Sequence, residues 1–337
     1  MKIDNLSSRR SFIKKISGGI ALSPLAISSS SAFLSIFSFK TADKRSDYQK
    51  PVRIGIIGGS VSAHTFNYGK IFNIDKKFPG VELLYAWADT EEFARDVRGK
   101  AMISNIVKDP DEMLGKIDAV IINHRDGKYH LKPAIPFIKA KIPTFVDKPF
   151  TNRVSEAKEF LSLARSAGTP VSTWSTIAQS DKIMDLKQQV ESMGQIKNLV
   201  CFAPVDIESP WGGIHFYGVH CVDPLLYIFG DNVIKVRVTR NQNTAIGNLL
   251  FKNGMLATIV FMTQARSWPI YAETKNGLVE LKSDVKEKDP PKCYTDMVDM
   301  FRTGIEPRSH KSILHSVAVL EALERSISSD AWEKVTE

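Results

Sequence analysis

A strand–helix–strand unit between residues 118 and 150 constrains the fold of this chain more than any other stretch. It opens with the apolar run 118–122 (Asp-Ala-Val-Ile-Ile), which is typical of a strand buried on both faces. A segment of helical length follows, and the second apolar run, 143–146, ends in Asp147-Lys148-Pro149. Ligands of open parallel sheets gather beyond the carboxyl ends of the strands. The sequence therefore places Lys148 where a functional site is expected, although a lysine after a strand can also be a solvated charge.

Length and composition indicate a globular protein of two domains. The chain has 337 residues, of which 43% are hydrophobic and 24% charged. Residues 1–50 hold nine Lys and Arg and three Asp, a net charge of +6, which leaves only +2 of the total +8 for the remaining residues. The body of the chain has no basic stripe with interleaved aromatics, so we expect no nucleic-acid partner. The three cysteines are far apart and show no metal-ligand spacing, so neither a disulfide framework nor a metal site is predicted.

Residues 1–39 are predicted to be an export signal. Residues 8–14 (Ser-Arg-Arg-Ser-Phe-Ile-Lys) resemble the twin-arginine consensus, which the Tat translocase reads as an address. The uncharged run 16–39 follows, and Ser30-Ser31-Ala32 offers a small-residue cleavage site. This predicts a periplasmic or exported protein. The alternative is an uncleaved membrane anchor, because 24 uncharged residues exceed the ~20 that span a bilayer, although the serines weaken that interpretation.

A glycine-containing turn follows the first predicted strand, 52–57. A dinucleotide-binding turn has the pattern G-x-G-x-x-G, which lets bare backbone approach a pyrophosphate at a helix N-terminus. This chain has Gly58-Gly59-Ser60-Val61-Ser62-Ala63, with serine in the second glycine position and alanine in the third. Taken alone the motif is weak. Gly58, Gly59, Ser60 and Ser62 are the candidate phosphate-binding residues.

Asp89 strengthens the dinucleotide interpretation. It ends the predicted strand 81–88, where an acid would bond the ribose 2′-hydroxyl and favour NAD over NADP. The competing interpretation is a helix N-cap, because 89–92 (Asp-Thr-Glu-Glu) also resembles the start of a helix.

The remaining pattern predicts an α/β fold: a Rossmann-type parallel-sheet domain at 51–176, after a linker at 40–50, and an α+β domain at 177–337 with an open, mostly antiparallel sheet. Helices are predicted at 65–73, 110–115, 155–167, 180–193, 294–303 and 313–328. Antiparallel strands are predicted at 197–205, 233–240, 247–251, 255–261, 270–273 and 278–282, with hairpin signals at Asn253-Gly254 and Asn276-Gly277.

Together these motifs resemble the glucose–fructose oxidoreductase/inositol dehydrogenase/rhizopine-catabolism (Gfo/Idh/MocA) family. The likeness rests on the glycine turn, the 118–122 strand, His130, Asp147-Lys148-Pro149 and the run 212–223, which contains Gly218-Val219-His220, and it covers residues 52–337. It implies a nicotinamide cofactor and a sugar, cyclitol or related alcohol as substrate. Lys148 matches the family's catalytic lysine and His220 its proton-transfer histidine.

These roles agree with the chemistry of hydride removal from a secondary alcohol. The reaction needs a base for the hydroxyl proton, and histidine has a pKa near working pH. A nearby ammonium would hold the alkoxide and lower the pKa of the histidine. The family's usual Asp four residues before the histidine is Phe216 here. Asp223 matches a later family acid and is a third catalytic candidate, although Asp223-Pro224 also reads as a helix N-cap followed by a proline at the first helical position.

Further site candidates also follow from the resemblance. Asn123, His124 and Asp147, with Lys148, are expected to contact the cofactor. Arg125, Tyr217, Lys148 and His220 are expected to contact substrate, although residues 124–126 could equally line a surface turn. His130 is expected to be a surface or packing residue. Trp174 and Trp211 could build a sugar-stacking face, or belong to the core.

Three functions remain open from the sequence. The first is an NAD(P)-dependent oxidoreductase of a sugar-like alcohol. The second is an NAD-dependent glycoside hydrolase acting by transient oxidation and elimination, which export favours because free NAD is scarce outside the cytoplasm. The third is a binding protein that kept the fold without catalysis, which Ser60 and Phe216 would support. A homo-oligomer formed through the second sheet is expected by analogy of fold.

Overall fold

A parallel sheet of six strands forms the first half of the fold, because its short β-branched runs alternate with segments of helical length. The computed structural model describes residues 50–58, 63–242, 244–264 and 266–337, which lie in one compact unit. The proposed leader, Gly59, Ser60 and Ser62 lie outside the described residues. The strands run in the order β3-β2-β1-β4-β5-β6, all parallel. They are β1 (Val52–Gly58), β2 (Val81–Ala88), β3 (Asn105–Val107), β4 (Ala119–Asn123), β5 (Thr144–Val146) and β6 (Val171–Ser172).

The second sheet is mixed, with one parallel pair in an otherwise antiparallel arrangement of order β12-β11-β7-β10-β9-β8-β13. The predicted fold class, with a mostly antiparallel second sheet, is confirmed, and the one parallel pair joins β7 and β10. A long helix between β7 and β8 carries the chain across the sheet, and such a crossover permits parallel pairing. The strands are β7 (Asn198–Pro204), β8 (Val233–Asn241), β9 (Thr244–Phe251), β10 (Leu256–Met262), β11 (Ile270–Thr274), β12 (Gly277–Leu281) and β13 (Glu333–Lys334).

Eight α-helices surround the two sheets within the described ranges. They are α1 (Ala63–Gly69), α2 (Glu91–Lys100), α3 (Leu131–Lys139), α4 (Val154–Ala167), α5 (Asp181–Met193), α6 (Ile214–Phe229), α7 (Lys292–Thr303) and α8 (His310–Ser329). A π-helix, Lys70–Ile74, extends α1, and the predicted helix at 110–115 is a short 3-10 turn, Pro110–Met113. None of the helices in the described part of the chain is both long and apolar enough to cross a bilayer.

Helices from the end of the chain complete the core of the first sheet. Met297, Met300 and Phe301 of α7 pack in one cluster with Ile54 and Ile56 of β1. On the other face of that sheet, the first half of α8 joins the core, whereas its second half packs on the second sheet. The predicted domain boundary at 176/177 therefore separates the two sheets along the chain, while helices that follow it pack on both.

Candidate functional site

The carboxyl ends of the parallel strands meet at one edge of the first sheet, where most of the predicted site residues lie. Gly58 ends β1 opposite Asn123 at the end of β4, which is the point where strand order reverses and where ligands of open sheets bind. Asn123 is fully buried, and its Nδ2 donates a hydrogen bond to Thr65 Oγ1 at 2.7 Å. Asp89 is exposed just after β2. Its alternative role as an N-cap is wrong, because Thr90 caps α2 by accepting from the backbone N–H of Phe93.

Asp147 and Lys148 follow β5 at the same edge and are both buried. Asp147 Oδ2 lies 2.5 Å from His64 Nδ1, and Oδ1 accepts the backbone N–H of Lys148 at 2.9 Å. Burial acts to raise the pKa of Asp147, but the charges of His64 and Lys148 outweigh it and lower the pKa to about 2. Asp147 is therefore an anion at neutral pH that holds His64 and the backbone of the lysine in place.

The ammonium of Lys148 is held against the first turn of α6. Its Nζ lies 3.4 Å from the carbonyl oxygen of Phe216, and 4.4 and 5.2 Å from the ring centroids of Phe216 and Tyr217. Burial lowers the pKa of Lys148 to about 8; the charge of Asp147 opposes this shift and that of Arg125 adds to it. An ammonium that is only partly compensated is suited to stabilising an oxyanion or to exchanging a proton near neutral pH.

His220 lies one turn further along α6 and is buried. Its Nδ1 is 2.7 Å from Ser175 Oγ, and its ring is 5.3 Å from that of Tyr217 and 6.5 Å from that of Trp268. Among the described residues, its Nε2 has no hydrogen-bond partner. Burial, followed by the positive charges of Lys148 and His64, lowers the pKa of His220 well below its ordinary value. The imidazole is therefore neutral at pH 7 and able to accept a proton.

Asp223 is buried in a network behind His220. Arg308 donates to both of its carboxylate oxygens at 3.0 and 3.1 Å, Ser316 Oγ donates at 2.6 Å, and the backbone N–H of Ser175 donates at 3.0 Å. The N-cap interpretation of Asp223-Pro224 is wrong, because α6 begins at Ile214 and runs through both residues. Asp223 is linked to His220 through Ser175, which bonds both residues, so Asp223 is a positioning residue.

The loop after β4 brings Arg125 against aromatic rings at the start of α6 and just before it. Its guanidinium carbon lies 5.0 Å from the ring of Trp211 and 5.4 Å from that of Phe216. Its neighbour His124 is largely buried, and this burial, together with the nearby His130, lowers the pKa of His124 to about 4. The Nδ1 atom of His124 is buried without a hydrogen-bond partner in the described structure.

His130 is a fully buried packing residue rather than a surface one. Its two ring nitrogens lie 2.7 Å from the carbonyl oxygens of His124 and Pro149, so it ties the β4 loop to the segment after Lys148. Trp174 is 2% exposed and packs on Phe145 with ring centroids 4.6 Å apart, so its role in a sugar-stacking face is wrong.

Three residues of the site were not identified from sequence: His64, Ser175 and Arg308. His64 pairs with Asp147 across 83 residues, Ser175 meets His220 across 45, and Arg308 meets Asp223 across 85. His64 had one usable signal, since it follows the glycine turn directly. The other two have no local pattern.

The residues at this edge fit a nicotinamide dinucleotide. Gly58 and Asn123 line the reversal point and the exposed Asp89 follows the neighbouring strand β2, which are the places that a dinucleotide occupies in this strand order. The phosphate contacts expected from Gly59, Ser60 and Ser62 lie outside the described residues and stay a prediction. Within the described ranges, no group of three His, Cys, Asp or Glu side chains is placed to hold a metal ion.

Comparison with known proteins agrees with this fit. Residues 52–174 match the Gfo/Idh/MocA model, described as an oxidoreductase family with an NAD-binding Rossmann fold. The uncharacterized oxidoreductase YhhX of Escherichia coli (strain K12) is 28% identical over 153 residues, which cover 42% of this chain and 43% of YhhX. The match therefore spans less than half of that curated relative.

Two solved structures share the fold over most of the chain. Apo scyllo-inositol dehydrogenase from Lactobacillus casei has a TM-score of 0.71 at 14% identity, covering 86% of this chain and 99% of that one. Myo-inositol dehydrogenase from the same organism, in complex with NAD(H) and myo-inositol, has a TM-score of 0.71 at 14% identity, covering 85% and 97%. At such identity the likeness extends to the fold alone.

Proposed function

We propose that this chain is an NAD-binding oxidoreductase of the Gfo/Idh/MocA family and that it transfers a hydride between the nicotinamide and a secondary alcohol of a sugar, cyclitol or derivative. The observation that carries the proposal is the meeting of Lys148 and His220 at the carboxyl edge of the parallel sheet. They belong to different halves of the chain, yet the charge of Lys148 acts on the imidazole, and both contact Tyr217.

His220 is the proposed base. Ser175 Oγ can accept the Nδ1 proton of His220, which leaves Nε2 unprotonated and available to the substrate hydroxyl. The low pKa of the imidazole keeps it in this form at neutral pH. The Asp223–Arg308 network holds the backbone of Ser175 and so fixes the orientation of the histidine.

Lys148 is the proposed electrostatic partner of the reacting oxygen. As the hydroxyl proton moves to His220, negative charge develops on the substrate oxygen, and a buried ammonium stabilises that charge more than it would in water. A bound dinucleotide would supply the hydride acceptor through its nicotinamide ring, and Gly58, Asn123, Asp147 and Asp89 would hold the dinucleotide. The exposed Asp89 supports NAD as the preferred form, because a carboxylate repels a 2′-phosphate.

The test is steady-state kinetics with NAD and a panel of cyclitols, hexoses and their derivatives, followed at the absorbance of reduced nicotinamide. We expect turnover of at least one alcohol, with kcat lowered about 10²–10⁴-fold in His220→Asn and in Lys148→Met. NADH binding, measured by nicotinamide fluorescence, should change little in His220→Asn. Full activity in both variants would contradict the assignment.

The glycoside hydrolase alternative is favoured by the predicted leader, since a redox-neutral cycle needs no external supply of cofactor. The same base and ammonium could serve transient oxidation and elimination. Release of nitrophenol from aryl glycosides by protein purified without added NAD would select this alternative. NAD-dependent formation of a ketone product without glycoside cleavage would exclude it.

We also propose export through the twin-arginine pathway, with the dinucleotide loaded before translocation, because that pathway is associated with folded cargo. Replacing Arg9 and Arg10 together by Lys should leave the protein in the cytoplasm, as judged by fractionation and immunoblotting. Continued export would refute the leader assignment. Pairing of subunits through the second sheet is a further proposal, which native mass spectrometry tests directly.

A further inference from the structure

We propose that the substrate carries a carboxylate and that Arg125 binds it. The inference rests on the proposed function, because it assigns the substrate class of the same site. Its basis is an arginine near Lys148 that contacts two aromatic rings and has no anionic partner among the described residues.

Arg125 is half-buried and makes no hydrogen bond or ion pair with any described residue. Its contacts are instead with two aromatic rings, those of Trp211 and Phe216. A guanidinium that contacts aromatic rings can keep its N–H groups free for a further ligand. A planar fork of donors that is held in place and unoccupied matches the geometry of a carboxylate.

The surrounding charges leave the guanidinium uncompensated. The adjacent Asp126 is buried and is already bound by the Lys128 ammonium at 3.1 Å and by Asn152 Nδ2 at 3.1 Å. Asp147 is paired with His64, and the first turn of α6 contains no acid. A half-buried guanidinium without an anionic partner on the protein is a site that an anionic ligand can complete.

Arg125 is also close enough to the reacting groups to act on the same small molecule. Its guanidinium and the Lys148 ammonium both lie within 5.5 Å of the centroid of the Phe216 ring, which puts the two charges within about 10 Å of each other. Lys148 and His220 would take the alcohol, and Arg125 a carboxylate on another carbon of the same molecule.

The position of Trp211 beside the β4 loop depends on a glycine, Gly212, just before α6. Gly212 has φ +97, and a Cβ there would meet Asn152 Nδ2 at 2.9 Å and Asp126 Oδ1 at 3.2 Å. Only a residue without a side chain lets the segment carrying Trp211 approach the β4 loop so closely. The aromatic support of Arg125 therefore depends on this close approach.

The experiment compares matched acids and neutral parents by calorimetry with NADH saturating: D-glucuronate against D-glucose, and D-galacturonate against D-galactose. The variants are Arg125→Met, Arg125→Lys and the control Arg98→Met, which removes an exposed arginine near the C-terminal end of α2. Thermal melting and NADH fluorescence verify that each variant is folded and binds the cofactor.

We expect at least one acid to bind the wild type about 10- to 100-fold more tightly than its parent, the range for a hydrogen-bonded charge pair. Arg125→Met should bring that ratio near one without weakening the neutral sugar. Arg125→Lys should be intermediate, since it keeps the charge but loses the fork, and Arg98→Met should be unchanged.

Three results would overturn the inference: no acid binds more tightly than its parent, Arg125→Met weakens acid and parent equally, or D-glucose 6-phosphate is preferred to both acids. Loss of NADH binding in the wild type would instead overturn the proposed function. In that case the acid preference is measured without cofactor, so the two failures are distinguishable.

Discussion

Replacing Lys148 by Met should stabilise the folded protein at neutral pH while removing catalysis. The pKa of this ammonium falls from its ordinary 10.5 to about 8 on folding, chiefly because burial disfavours the charged form. At ~1.36 kcal/mol for each pKa unit, the charged lysine costs the folded state about 3 kcal/mol at pH 7. A buried Met removes that cost, so the free energy of unfolding of Lys148→Met should exceed that of the wild type by about this amount.

The pH dependence gives this prediction its sign. Below pH 8 the lysine is protonated in both the folded and the unfolded chain, and the full cost is present. Between pH 8 and 10.5 the folded protein has released the proton and the unfolded chain still holds it, so wild-type stability rises relative to the variant. Above pH 10.5 the cost is gone, and the difference between the two proteins reflects packing alone.

The assay is urea unfolding followed by tryptophan fluorescence at pH 7.0, 8.5 and 10.0. Only the difference between wild type and variant is used, since other groups titrate equally in both. Lys158→Met is the matched control, because Lys158 is exposed on α4 and makes no ion pair with a described residue. If Lys148→Met is no more stable than the wild type at pH 7, or if its advantage does not shrink with pH, burial is not what lowers the pKa of the lysine.

Three further predictions follow from the contacts around the site. Ser175→Ala should lower kcat about 10- to 100-fold with little change in NADH affinity, because it frees the imidazole to turn; an unchanged pH profile would count against this. Arg308→Met should destabilise the fold by about 3–5 kcal/mol by leaving Asp223 buried and unpaired, and adding Asp223→Asn should recover part of the loss in urea unfolding. His64→Ala should destabilise the fold by about 2 kcal/mol, because His64 is the main partner that lowers the pKa of Asp147 to about 2. In the wild type this stabilisation is present above pH 3.8 and is lost as the pH falls through 2, so acid unfolding of the variant should occur at higher pH.

The parts of the site that sequence predicts are those set by the sheet itself. Buried β-branched runs fix where the parallel strands end, and so they place Asn123, Asp147 and Lys148 at one edge. The role of His220 was predicted only from the family resemblance. No pattern within its own helix indicates that this helix packs beside Lys148, which lies 72 residues earlier in the chain. Its position beside Lys148 depends on how the two halves pack.

The sequence does not predict the polar partners that come from distant segments. It also misplaces one helix start, because packing outweighs the local signal there. Asp223-Pro224 has the composition of a helix start, but the apolar run from Ile214 to Phe229 buries most of its residues as one helix. The free energy of that burial outweighs the backbone hydrogen bond that Pro224 cannot donate to the carbonyl of His220. The arginine that neutralises Asp223 follows 85 residues later, and no pattern links the two.

Because α7 and α8 complete the core of the parallel sheet, the nucleotide-binding half is unfinished when its last strand leaves the ribosome. The helix that covers β1 begins at Lys292, about 120 residues after β6 ends. At roughly 5–20 residues per second, synthesis of that interval takes about ten seconds. During this time the apolar face on which Met297 and Phe301 later pack is exposed to water, so chaperones can bind the nascent chain there. A cofactor can bind the completed fold only after this interval.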